Sequence, residues 1–281
     1  MIAFRKNFRP GLSLLEVLTA IFIMGIGMLA LMTLFPAGAL SMARAIREDR
    51  AAAIGANGLA LAAAMDLCND ANVTAAFNGG NNLIFVDPHY VKIGGGGTQQ
   101  QVNGIIRVRP AWMPLPTPPM TDTQLARFFV FQDEIKFNSD GGAGTGAPNS
   151  VDRPGTYSIA YALRRPQGSV SFTEVNVLVF AQRNTDLVDG ETIFTLNPIG
   201  TVGNLSITLT GNQDIRQRSW IMDITTNSPN YGDFYRVETV SNDAANNTVL
   251  GLDRPLKANV NQILHFRDVI AVIERGAIWH P

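Results

Sequence analysis

One cysteine, three histidines and an almost balanced charge set the first limits on this 281-residue chain. Cys68 is alone, so no internal disulfide can form and the folded part must be held by its core or by neighbours. His89, His265 and His280 are scattered singly, none at a zinc-ligand spacing from another. Gly-x-Ser-x-Gly, a phosphate loop ending in Gly-Lys-Ser/Thr, and His-Glu-x-x-His are all missing. A triad assembled from distant residues stays open on sequence alone, but the expectation is no enzyme, no cofactor and no metal. A formal charge of −1 argues against a dedicated basic patch of the kind nucleic acids bind, without excluding one, so no nucleic-acid partner is expected. Charge is scarcest near the start, where nothing ionisable lies between Glu16 and Arg44.

That gap is an apolar run. Residues 17–43, built as a helix rising ~1.5 Å per residue, reach ~40 Å, more than the ~30 Å hydrocarbon core of a bilayer. A secretory signal peptide has a shorter apolar core of ~7–15 residues, although Ala37-Gly38-Ala39 loosely mimics its cleavage site. The run therefore reads as a membrane span. Arg5, Lys6 and Arg9 precede it and hold the N-terminus in the cytoplasm, with the bulk of the chain on the far side. Glu16 sits at its head, and a charge deep in a membrane helix costs roughly 2.5–3.5 kcal/mol on insertion scales. Either Glu16 stays solvated in the headgroup layer, near a helix N-terminus that favours negative charge, or it has a partner.

Gly11 followed by Leu-Ser-Leu-Leu-Glu-Val-Leu-Thr-Ala-Ile resembles the prepilin-type cleavage and methylation motif. The continuation Met24-Gly25-Ile26-Gly27-Met28-Leu29-Ala30-Leu31 is similar to minor pilins of the type IV pilus modification branch and to type II secretion pseudopilins. The resemblance covers residues 9–43 and departs from the family at Leu12, where Phe is usual. It implies cleavage after Gly11 by a prepilin peptidase/methyltransferase, N-methylation of Leu12 as the new N-terminus, and pairing of Glu16 with the N-terminal amine of a neighbouring subunit. It also implies other pilin or pseudopilin subunits as partners, and an inner-membrane protein that passes into a periplasmic or surface filament. An offset ion pair of this kind fixes the register between helices in a low-dielectric setting. Loss of residues 1–11, with three basic residues and no acid, takes the formal charge from −1 to −4. The competing reading is an uncleaved, single-pass anchor carrying an extracytoplasmic binding or adhesive module.

The expected class is α+β: a long N-terminal helix, membrane span plus spine, packed on a β-rich head. Residues 1–11 read as leader, 12–78 as the helical region with its membrane part at about 12–35, 79–185 as a first β region and 186–281 as a second. Pro36 and Gly38 interrupt the helical pattern, so a kink near Phe35 is expected. Past Arg44 the helix continues through Met65. Ile54, Leu61, Met65 and Cys68 form one stripe that should pack on a sheet, Cys68 as a small buried hydrophobe. Residues 69–80 should end it.

Strands are expected at 82–87, 104–108, 157–163, 169–182, 192–196, 206–209, 219–224, 234–240, 248–252, 262–266 and 269–274. Tyr157, Ile159, Tyr161 and Leu163 alternate as in a half-buried strand. Asp189-Gly190 is a turn signal between the strands on either side, and residues 242–247 join two strands as a hairpin. The strands form either one sheet with long insertions or two β units meeting near residues 186–200, with two expected. In the second, residues 206–275 suffice for a small barrel or sandwich. Residues 94–101, 113–120 and 138–149 read as exposed loops. Asn138, Asp140 and Asp152 could offer oxygens to calcium, but they are also ordinary loop residues. Among the tryptophans, Trp220 reads as core and Trp279 as the better interface candidate over Trp112.

Overall fold

A computed structural model describes residues 14–87, 98–113, 157–165, 172–181, 190–226, 228 and 230–279. The chain divides into two compact units, Met1–Asp49 and Arg50–Pro281. The class is α+β, a long N-terminal helix followed by a β-rich region with two sheets.

Helix α1 (Leu14–Ala64) is assigned as α-helix through Pro36 and Gly38 without a break. It ends earlier than the sequence pattern suggests. Asp66 turns to a left-handed φ of 46°, a 3-10 turn follows at Leu67–Asn69, and a separate helix α2 (Ala71–Asn78) begins. Asp70 caps α2: its Oδ1 accepts from Asn72 N (2.9 Å) and Val73 N (3.2 Å), and its Oδ2 from Ala111 N (2.7 Å). One carboxylate thus joins α2 to the turn at Pro110–Met113.

In the second unit a six-stranded sheet runs in the order β12-β5-β4-β1-β3-β2. Its strands are β1 (Leu83–Val86), β2 (Gln99–Val102), β3 (Ile105–Val108), β4 (Tyr157–Arg164), β5 (Phe172–Ala181) and β12 (Val269–Trp279). Among the described strands of this sheet, only β1 and β3 pair in parallel. The other six strands close into a barrel in the order β10-β7-β6-β11-β8-β9. These are β6 (Glu191–Gly200), β7 (Ser206–Leu209), β8 (Trp220–Asp223), β9 (Phe234–Asn242), β10 (Thr248–Leu252) and β11 (Val260–Phe266). All barrel pairings are antiparallel. The β9–β10 hairpin is as expected, its turn held by Asp243 Oδ1 accepting from Ala245 N and Asn247 N, both at 2.8 Å.

One face of the sheet packs on helices and the other on the barrel, so Ala160 and Ala162 are buried as fully as Tyr161 and Leu163. The half-buried reading of β4 is corrected: its alternation is between two covered faces. The spine stripe is corrected too. The buried face of α1 is Ala51, Ile54, Gly55, Gly58 and Ala62, while Leu61 is half-buried and Met65 exposed. Small residues win because the helix lies close on the sheet. A Cβ on Gly55 would collide with Ile273 Cγ1, and one on Gly58 would lie 3.0 Å from Val177 Cγ1. Tyr161 Oη donates to the Gly58 carbonyl at 3.0 Å across the same contact.

Four further expectations change. Strands β5 and β6, flanking Asp189-Gly190, belong to different sheets and form no hairpin. Residues 206–275 are not self-contained, since the barrel starts at Glu191 and β12 returns to pair with β5. The expected loop 94–101 contains most of β2, which pairs with β3 through Asn103-Gly104, a two-residue turn with φ of 52° and 76°. Met113, at the head of the loop placed at 113–120, is buried in the core.

Candidate functional site in the apolar helix

Between Glu16 and Arg44 α1 is built mainly of Leu, Ile, Val, Met, Phe, Ala and Gly, which supply no charged face. Its most apolar stretch is exposed throughout, with Leu14, Phe35, Met24 and Leu31 each at least 70% open. A helix apolar on every side is stable only inside a large core or a membrane. It is a candidate single membrane span. Hydroxyls within it are spent on its own backbone: Thr19 Oγ1 donates to the carbonyls of Leu15 (2.8 Å) and Glu16 (3.0 Å), and Thr33 Oγ1 to that of Ala30 (2.8 Å).

Glu16 occupies the first turn of α1, where the helix dipole favours a carboxylate. Pro36 stands twenty residues on, ~30 Å along the axis, which is the thickness of a hydrocarbon core. Its ring nitrogen cannot donate to the Met32 carbonyl, a local weak point in the ladder. Gly11 and Leu12 lie outside the described residues.

Three arginines of the second unit make ion pairs that join its two sheets. Arg107 of β3 is fully buried between Asp87, just after β1, and Glu191, at the start of β6. Its guanidinium is held above its ordinary range by these two carboxylates, which outweigh its own desolvation. Arg164 of β4 bridges Glu174 of β5 and Asp233 at the head of β9, both at 2.6 Å. Arg254, between β10 and β11, reaches Glu274 of β12 at 2.5 Å. In each case an arginine ties the sheet to the barrel.

Asp223, His265 and Cys68 are buried titratable groups shifted from their ordinary ranges. Burial pushes the Asp223 carboxyl up to about 6, against hydrogen bonds from Thr225 that favour its charge. Burial, then Arg267, pushes His265 down to about 4, and its Nε2 has no hydrogen-bond partner. The Cys68 thiol is buried and pushed up to about 11, chiefly by burial, which leaves it a packing residue. Trp220 and Trp112 are half-buried against the two sides of the sheet. His89, His280, Asn138, Asp140 and Asp152 lie outside the described residues, and Trp279 ends β12. Among the described residues no group of three His, Cys, Asp or Glu is placed to hold a metal. A hollow of about 10 Å³ beneath Trp112, lined by Leu61, Met65 and Tyr161, has room for little more than one water.

The arginine ties escaped the sequence reading because their members are far apart: Asp87 and Arg107 by 20 positions, Arg107 and Glu191 by 84. The only signal was the lone charge in an otherwise apolar strand, Ile105-Ile106-Arg107-Val108. Compared with family models, curated proteins and solved structures, the chain has no match.

Proposed function

We propose that the chain is a structural subunit, a minor pilin or pseudopilin, assembled through its N-terminal helix into a type IV pilus or a type II secretion-like filament. In this reading a prepilin peptidase/methyltransferase cuts after Gly11 and methylates Leu12. Glu16 then pairs with the N-terminal amine of a neighbouring subunit as the helices pack. The protein starts in the inner membrane, N-terminus in the cytoplasm, and its β-rich head ends on a periplasmic or surface filament. The head acts through its surface and catalyses nothing.

The observation that carries the reading is the single carboxylate at the head of a helix apolar on all sides, five positions after Gly11. An ammonium brought to Glu16 in low dielectric is attracted far more strongly than in water, while an unpartnered charge there is penalised. The test is the mature N-terminus, read by mass spectrometry on membrane and sheared surface fractions. A chain beginning with N-methyl-Leu12 supports the subunit reading, and its presence in the sheared fraction supports a surface filament. An intact Met1 in cells with active peptidase overturns it and leaves a single-pass anchored binding module.

A further inference from the structure

Arg44 is the first charge after Glu16, 28 residues along one continuous helix. That is ~42 Å, against ~40–45 Å for a bilayer with both headgroup layers. Before assembly, with Glu16 in one headgroup layer, Arg44 falls in the other and Arg47 one turn beyond. At ~100° per residue the two arginines are ~60° apart on one face. Asp49 lies on the opposite side, and Glu48, one turn from Arg44, is the nearest acid. Both arginines are exposed, and neither makes an ion pair among the described residues. Side chains on a helix lean toward its N-terminus, here toward the bilayer. A planar guanidinium matches a phosphate with two parallel hydrogen bonds.

We propose that Arg44 and Arg47 together form a binding site for the phosphate of anionic phospholipids, in the headgroup layer opposite Glu16. The site rests on the reading of α1 as a membrane span and adds the lipid class that the span selects. The bilayer-length match and the paired cations commit the occupant to lipid.

The full chain is reconstituted in nanodiscs of phosphatidylcholine with phosphatidylglycerol, and retained lipid adducts are counted by native mass spectrometry. Phosphatidylglycerol is expected to be retained in preference, with about a fivefold loss per arginine on Arg44→Gln and Arg47→Gln. Arg44→Lys/Arg47→Lys keeps the charge but not the paired hydrogen bonds and is expected to fall between wild type and Arg44→Gln/Arg47→Gln, and Glu48→Gln is expected to raise the preference. No preference in the wild type, or one that survives Arg44→Gln/Arg47→Gln, overturns the site. So does displacement of the lipid by inorganic phosphate, which would mark a general anion site. Alkaline extraction of the same chain from liposomes separates the two levels: a chain released by carbonate is not inserted, and then the span itself falls.

Discussion

Arg107 Nη2 lies 2.5 Å from Glu191 Oε2, and this contact carries a charge from β3, one strand in from the edge of the sheet, to the first residue of the barrel. Asp87 holds the other guanidinium nitrogen, and Asn103 Nδ2 donates to the same Glu191 oxygen at 3.3 Å. The cluster is closed to solvent, so each charge depends on the others.

Removing Arg107 alone leaves two buried carboxylates facing each other. Arg107→Met is expected to cost about 3–5 kcal/mol. The triple change Arg107→Met/Asp87→Leu/Glu191→Met is expected to recover most of it, because a buried ion cluster replaced by apolar groups is often neutral. Denaturant midpoints of the full chain in detergent, followed by tryptophan fluorescence, decide this. An Arg107→Met midpoint equal to wild type would show the cluster to be dispensable.

Gly55 tests the close approach of α1 to the sheet. Alanine is a better helix former than glycine by about 1 kcal/mol, so an open site would gain stability. Here the added methyl meets Ile273, and Gly55→Ala is expected to lose about 1–3 kcal/mol as overpacking does. Gly55→Ala/Ile273→Ala should be more stable than the sum of its single changes. Strict additivity in that double-mutant cycle would place the helix elsewhere.

Asp223 and His265 give the head opposing responses to pH. The folded carboxyl of Asp223 is raised to about 6, so its contribution is fully present below the unfolded value near 4 and is lost as pH rises through 6. The groups around it are Thr225, Ser228, Asp233 and Tyr231, and Asp233 is itself paired with Arg164 and Lys257. His265 is lowered to about 4, so its contribution is present above about 6.5 and is lost as pH falls through 4. Relative to wild type, Asp223→Asn should lose stability as pH drops from 6.5 to 4.5, and His265→Gln should gain it, each by on the order of 2–3 kcal/mol. Parallel profiles for wild type and both variants would contradict the assignment.

Asp70 holds three backbone donors at once. Asp70→Ala removes the cap of α2 and leaves the Ala111 amide without its acceptor, with an expected cost of about 2–3 kcal/mol. Asp70→Asn keeps an acceptor and should lose less. Hydrogen exchange at Asn72, Val73 and Ala111 reads the effect directly, and slow exchange at all three in Asp70→Ala would refute the role.

The apolar helix and the strand inventory were legible because each depends on short-range periodicity. Residues 17–43 carry no charge to place them in water, and runs such as Tyr157–Arg164 alternate as a pleated strand must. Partnership was not legible. The Asp189-Gly190 turn signal is local, but which sheet β5 and β6 join depends on faces supplied by distant strands. Helix periodicity favoured Ile54, Leu61, Met65 and Cys68 as the packing face, and Ile54 and Cys68 are buried, yet the close approach of the helix to the sheet put Gly55 and Gly58 in place of Leu61 and Met65, since area buried depends on how near two backbones can come. The linear pattern carried a stretch long and apolar enough to cross a membrane, followed by mostly β segments. The packed structure alone brought the C-terminal strand back to the first sheet and gathered Asp87, Arg107 and Glu191 into one dry cluster. Burial energy is a property of pairs of surfaces, and a linear pattern describes one surface at a time.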